Sequence, residues 1–550
     1  MTKNDEEVSV IREPSVEVNQ AQDETKGVRY AVTGHTEQEI DAELEKLEEA
    51  SVSQGKRRVF SSTIFGNPKY FIWVLASFAS MGGILYGIDQ SLISGAGLYV
   101  PEDLNYGPNK ESMIAGFMPL GGIFGAIMVY PCNEIIGRKW TIIGACLLYT
   151  VGGILEADAQ SWGMLLAGRM ILGAGVALEA ATVPGYIAEC STKRWRGGLV
   201  SLYQVMIMLG LLFGYIDAAI FVDVSGNWRW MLGSSLLFST IFLIAMLFLP
   251  ESPRYLMKVG KKIDSYVIWK RVRGFSTFEE KEEFFEMEQH VLEEIEAGKG
   301  RFIWMDFINK PRCRHAAQYA IILMIVQQFS GVNSVNYYMG TLMHETGISK
   351  QNAVYTSMIG GGTGFLSTIP AIYLMDRLGR RTLLLTLIPG VFIGLLIIGF
   401  AFLASNLHTR EGIYIWGVVV YYLFWGSCLG PTPWVVGSEV WPTYLRSQGL
   451  FLTDITNWTG DFITTYCFKR MTDAMTTTGT FCGFYAGIVL IGTIYMMFLM
   501  PETKDKTLEE LDEVFEKPLK DLMAENIQRM KETWEDLKSF RFRRIWVLSN

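Results

Sequence analysis

Charge is scarce in this chain and lies mostly outside its long apolar runs. Of 550 residues only 19% are Asp, Glu, Lys or Arg, and half are hydrophobic, an unusual balance for a soluble protein of this length. The net charge of -8 comes from acids gathered in the tails and one central loop, so it says little about partners, and no basic patch for nucleic acid stands out. Seven Cys, at 132, 146, 190, 313, 428, 467 and 482, are scattered without a CxxC pair, and there are only five His. That spacing supports neither a disulfide framework nor a metal site, and no cofactor is called for. No nucleophile elbow with a partnered base and no phosphate-binding glycine loop is found. The first 68 residues are polar and acidic, with no apolar leader or small-residue cleavage site, so no signal peptide is expected. A polytopic membrane protein remains, and not an enzyme.

A bilayer crossing takes about 20 apolar residues. Runs of that length fall near 70–97, 111–131, 139–158, 162–187, 198–221 and 228–250, then near 316–344, 351–375, 382–405, 412–438, 447–470 and 478–500. The expected architecture is an all-α membrane protein of twelve spans. Its parts are an N-terminal tail (1–68), a six-helix bundle (69–250), a charged loop with helices (251–314), a second bundle (315–500) and a C-terminal tail (501–550). The loop's helix should start near Thr277, where Glu280 completes a capping box, and run to Ala297; 38–50 reads as a short surface helix on a solvated tail. Lys and Arg favour the loops after even-numbered spans, which puts both termini in the cytosol.

The halves repeat. Glu189 and Arg196 recur as Glu439 and Arg446 at an offset of 250, EIIGRKW (134–140) recurs as DRLGRRT (376–382), and PESPR from Pro250 is echoed by PETK from Pro501. A duplicated six-span unit with substrate held between the copies is a known transporter plan.

The stretch IVQQFSGVNSVNYY (325–338) is the chain's anomaly. Amides do not face lipid, so Gln327, Gln328, Asn333 and Asn336 should line a cavity between helices or serve as interhelical hydrogen bonds. A primary amide donates and accepts, which suits neighbouring hydroxyls of an uncharged polyol. Gly331 marks a possible break in the helix. Elsewhere, Asp89 lies about 28 Å along the first span and Arg169 about 10 Å into the fourth from the same face, a matched depth for an ion pair. An acid there can exchange a proton as its contacts and hydration change, or it is a fixed structural pair. Glu179 and Asp217 are further acids in apolar surroundings, without an assigned role.

These elements together resemble the sugar porter family of the major facilitator superfamily, over about residues 70–516 and most like its fungal members. The resemblance rests on GRK, DRLGRR, PESPR, PETK, QQFSGVN (327–333) and GPTPWVVGSEVWP (430–442). It implies that Gln204, Gln327, Gln328, Asn333, Trp434 and Asn457 bind sugar, that Trp434 also gates the inner side where Pro431 and Pro433 bend the helix, and that Tyr337 and Tyr338 form the outer gate. An Asp at position 89 implies proton symport. Glu134 with Arg138, Asp376 with Arg380, Glu189 with Arg196 and Glu439 with Arg446 are expected to pair and to break as the cavity opens inward; Glu134 departs from the usual Asp, and Asn336 and Asp461 are unfamiliar beside these motifs. The expected function is import of a monosaccharide (hexose, pentose or related polyol) with a proton across the plasma membrane. A facilitator without protons and a transporter-like sugar sensor are the alternatives.

Overall fold

A computed structural model describes residues 37–53, 68–104, 110–191, 196–275, 277–297, 303–442, 445–504 and 513–538. Among these residues every regular element is helical. A tail helix, α1 (Glu37–Ser53), precedes the first six spans: α2 (Pro68–Ala96), α3 (Glu111–Ile135), α4 (Arg138–Ala157), α5 (Trp162–Cys190), α6 (Arg196–Phe221) and α7 (Asn227–Phe248). The central segment holds α8 (Pro253–Lys258), α9 (Lys262–Val272) and α10 (Phe278–Ala297). Then come α11 (Pro311–Gln328), α12 (Val332–Glu345), α13 (Lys350–Leu378), α14 (Arg380–Ala401), α15 (Leu407–Ser427), α16 (Thr432–Glu439), α17 (Arg446–Thr478) and α18 (Ala486–Leu499), with a C-terminal α19 (Leu519–Lys538).

Ten helical runs among the described residues are long and apolar enough to cross a membrane. The last, 446–499, would stretch about 80 Å at 1.5 Å per residue, far beyond the hydrocarbon thickness. It is two spans, divided at Thr476, whose φ of 64° breaks the helix. The pair α11 and α12 supplies the remaining span, which the break divides into an 18-residue piece that carries Arg312, Arg314, Gln327 and Gln328 and a 14-residue piece too short to cross alone. The total is twelve, as the sequence suggested.

Packing repeats with the sequence. In the first six, the first span lies on the fifth, the second on the fourth and the third on the fourth (α2 on α6, α3 on α5, α4 on α5). The second six do the same, with α11 on α17, α13 on α15 and α14 on α15. The halves meet along α3 with α17 and α6 with α13, a pseudo-symmetric pair of seams, and α12 closes on α2.

The capping box forms: the Thr277 N–H donates to Glu280 at 3.2 Å and the Glu280 N–H to Thr277 at 3.3 Å. The tail helix, in contrast to a solvated reading, is docked. Ile40 and Leu44 of α1 are buried with Tyr266, Trp269, Phe284 and Phe285, and Asp41, Glu43 and Glu48 pair with Lys281, Lys262 and Lys270. The apolar face of α1 and its acids match a basic, aromatic surface that exists only once α9 and α10 have folded.

Candidate functional site

The site begins with a broken helix. Gly331 has φ +87°, a conformation other residues adopt with strain, and a Cβ there would sit 2.8 Å from the Tyr485 ring. Helix α11 therefore stops at Gln328 and α12 starts at Val332. The exposed backbone of the break is held by α15: Tyr421 donates its hydroxyl to the Ser330 carbonyl (3.2 Å), and the Trp425 indole donates to the Ser330 hydroxyl (3.0 Å). A second break faces it, between α15 and α16. Pro433 has no N–H for the Leu429 carbonyl that a continuous helix would satisfy; Gln327 Nε2 donates to it instead (2.9 Å), and to the Gly430 carbonyl (2.8 Å). The two interrupted spans are thus joined by one glutamine.

From there a row of amides crosses the centre of the protein. Gln328 donates to Asn457 Oδ1 and accepts from Asn333 Nδ2 at 2.5 Å. Gln90 Nε2 reaches Asn333 Oδ1 at 3.5 Å, Asn336 Nδ2 donates to Gln90 Oε1 at 3.0 Å, and Tyr422 donates its hydroxyl to Asn336 Oδ1. All of these but Tyr422 border a central cavity, and all six side chains expected to bind sugar line it: Gln204, Gln327, Gln328, Asn333, Trp434 and Asn457. Among the described residues its wall contains no charged side chain. Gln327 Oε1 and Asn457 Nδ2 are buried without partners, leaving one acceptor and one donor for a hydroxylated ligand. Tyr86, Gln90, Asn336 and Trp425 also line the cavity. Gln90 follows Asp89 and Asn336 belongs to the amide-rich stretch, so both carried a signal; Trp425 sits in an apolar run that offered none.

Beside the cavity Asp89 and Arg169 meet, Nη1 to Oδ1 at 2.5 Å, with side chains 3% and 0% exposed. The Arg169 Nε donates to the Ile114 carbonyl at 3.2 Å. A residue that sequence reasoning missed joins them: Glu156 Oε2 lies 3.7 Å from the same Nη1. Tyr337 and Tyr338 are both buried. Tyr337 crosses to the first six spans with its hydroxyl on Met118 Sδ (3.3 Å), whereas Tyr338 donates to the Thr465 carbonyl (3.1 Å) within the second six. Glu179 is buried, with the Tyr203 hydroxyl at 3.4 Å.

At the end bearing α8–α10 one expected ion pair is exchanged for others. Arg138 pairs with Glu189 at 3.0 Å, not with its sequence neighbour Glu134, which binds Lys258 at 2.5 Å. The Gly137 turn (φ +91°) separates α3 from α4 and points Arg138 at α5. The second half repeats this with Arg380 on Glu439 at 2.6 Å. Glu189 also accepts from Ser252, and Glu439 from Thr503. Glu502 caps the start of α14 through the N–H groups of Arg380, Arg381 and Thr382, where a carboxylate is favoured by the helix dipole; Glu251 accepts the Lys139 N–H likewise. Burial raises the Glu251 carboxyl, while the Lys139 and Ser252 N–H groups draw it down. The side chains of Arg196 and Asp376 lie outside the described ones, and Arg446 opens α17.

All these pairs stay within one half and its adjoining loop. The hydrogen bonds that cross between halves among the described residues lie at mid-depth or the opposite end. Lys350 binds Glu102 (2.5 Å) and the Leu98 carbonyl (2.9 Å), Asp223 accepts from Gln351 (2.6 Å) and Tyr355 (3.1 Å), and Thr341 donates to Glu111 (3.1 Å).

The profile of the family described as "Sugar (and other) transporter" matches residues 75–515. The chain is 47% identical over 527 residues to the myo-inositol transporter FST1 of Gibberella moniliformis, covering 94% of this chain and 91% of that protein. It is 26% identical to the human proton myo-inositol cotransporter, over 82% of each chain. Its fold matches the proton:xylose symporter XylE of the major facilitator superfamily, bound to 6-bromo-6-deoxy-D-glucose, with a TM-score of 0.71 at 23% identity, covering 82% of this chain and all of that one. With twelve spans in two repeats around a central amide-lined cavity, the chain belongs to the sugar porter family of the major facilitator superfamily and is a membrane transporter, not an enzyme.

Proposed function

We propose that this transporter carries an uncharged ring polyol together with a proton, by alternating access, across the plasma membrane, with both termini cytosolic. The observation that carries the substrate class is the cavity wall: seven amides and no charge, with an open acceptor on Gln327 and an open donor on Asn457. Amides reward hydroxyls and leave a charged solute's desolvation uncompensated. A ring bearing hydroxyls around its whole edge uses such a wall more fully than a sugar with an apolar side, and the relatives named for myo-inositol make that cyclitol the first candidate, ahead of hexoses and pentoses. In this reading Gln204, Gln327, Gln328, Asn333 and Asn457 hold hydroxyls and the Trp434 ring lies against the C–H face.

Coupling rests on Asp89 and Arg169. Asp89 takes up a proton from outside while the cavity is open there; polyol binds; the halves rock; proton and polyol leave inward. Tyr337 and Tyr338 act in the outer gate. With the halves joined at the Lys350 and Asp223 end and the Arg138 to Glu189 and Arg380 to Glu439 pairs each within one half, the state described is closed outside. The test is uptake of a labelled panel (myo-inositol, glucose, xylose, a uronic acid) into transporter-deficient yeast, with external pH recorded and a protonophore in parallel. Accumulation of myo-inositol with alkalinisation, lost to the protonophore, is expected. Uptake that only equilibrates and ignores the protonophore makes this a facilitator; no uptake by surface-localised protein removes the substrate reading.

A further inference from the structure

Among the buried acids that the proton step just described leaves unused, one touches its arginine. Glu156 is the next-to-last residue of α4 and is 1% exposed. Its Oε2 is 3.7 Å from Arg169 Nη1, the same nitrogen that Asp89 occupies at 2.5 Å. The fold makes room for it: a Cβ on Gly168 would lie 2.8 Å from Glu156 Cγ, so only a residue without a side chain lets the carboxylate stand beside the arginine. The arrangement is unsaturated. Asp89 Oδ2, Glu156 Oε1 and Arg169 Nη2 are all buried without partners. Two carboxylates therefore compete for one guanidinium, which balances the charge of only one. The other titratable groups that face this trio among the described residues are Tyr86 from α2, Tyr149 from α4 itself, Tyr337 from α12 and Asp461 from α17; none is a cation, so none of them relieves the competition.

We infer that Glu156 is a positioning residue of the coupling step: it shares Arg169 with Asp89, takes the guanidinium over when Asp89 gains its proton, and releases it when that proton departs. In the step an O–H bond forms on the Asp89 carboxylate with a proton from the outer solution, and the Asp89 to Arg169 ion pair is exchanged for one between Glu156 and Arg169. On the inner side the O–H bond breaks, the proton passes to solvent, and Arg169 returns to Asp89. The guanidinium is thus never left without a counter-charge at either stage, which lowers the cost of uncovering Arg169. This rests on the symport reading above.

The experiment is the initial rate of myo-inositol uptake against external pH for wild type, Glu156→Gln and Glu156→Asp, normalised to surface abundance. Without the competing carboxylate Arg169 holds Asp89 alone, so protonation needs a more acidic solution. For Glu156→Gln the half-maximal pH is expected to fall by about one unit, a tenfold higher proton concentration, within the range that one nearby charge commands. The apparent affinity for polyol at acid pH stays as in wild type. Glu156→Asp keeps the charge at a longer reach, restores most of the wild-type profile, and is the variant read if Glu156→Gln does not reach the surface, where a half-maximal pH shifted in the same direction by less than a unit is expected. A pH profile unmoved in the variants of a proton-coupled wild type overturns this proposal alone. A wild type indifferent to pH and protonophore overturns it together with symport.

Discussion

Replacing Gln328 by Ala is the sharpest test of the cavity. Gln328 joins the broken seventh span to the eleventh, donating to Asn457 and accepting from Asn333, and it is 4% exposed. In the proposed complex its amide serves hydroxyls of the polyol with one donor and one acceptor. A neutral hydrogen bond contributes about 0.5–1.5 kcal/mol net, so loss of two amounts to about 2 kcal/mol. At 1.4 kcal/mol per decade this is roughly a 30-fold rise in the concentration for half-maximal uptake. Water entering the vacated space can satisfy Asn333 and Asn457 in the empty protein, so the loss falls on ligand binding and not on folding. The assay is the concentration dependence of labelled uptake with surface protein quantified. An apparent affinity within twofold of wild type at normal surface abundance would refute the placement of Gln328 at the ligand and the magnitude argued from it.

Other expectations follow from particular contacts. A Cβ on Gly82 would lie 1.8 Å from Glu179 Oε1, so Gly82→Ala should lower thermal stability, by about 1–3 kcal/mol as overpacking does, and adding Glu179→Ala should recover part of it; a melting temperature unaffected by Gly82→Ala contradicts the packing. The Lys350→Ala, Asp223→Ala double variant removes exposed contacts that join the halves at one end, each worth at most about 1 kcal/mol. Spin-label distances across that end should show an enlarged open population, and an unchanged distribution would mean those contacts do not hold it. Asp89→Asn should abolish concentrative uptake while sparing polyol exchange; full accumulation in that variant defeats the coupling assignment.

Much of the placement was legible in the sequence because membrane burial punishes polar side chains. Gln327, Gln328 and Asn333 stood out as amides at membrane depth, and helix rise alone set Asp89 and Arg169 at one level. Glu156 escaped notice because it falls at the end of a span beside Asp158, where an acid reads as a solvated boundary residue; only the fold shows that α5 covers it. Glu134 was matched with Arg138 as the acid and base of one motif, yet Glu134 binds Lys258 of α8 and Arg138 binds Glu189 of α5. Neither could be corrected without tertiary structure. The docking of α1 was hidden for a related reason. Its apolar face is three residues, Ile40, Leu44 and Leu47, too weak a signal until the aromatic surface of α9 and α10 is known.

The central claim is that an uncharged polyol and a proton cross together. Its most direct test is purified full-length protein in proteoliposomes clamped at zero membrane potential, with a pH-sensitive dye inside and myo-inositol added outside at uniform pH. Acidification of the lumen driven by the polyol gradient, absent with Asp89→Asn, is the expected result. Polyol entry measured in the same vesicles without any lumenal acidification would contradict the account.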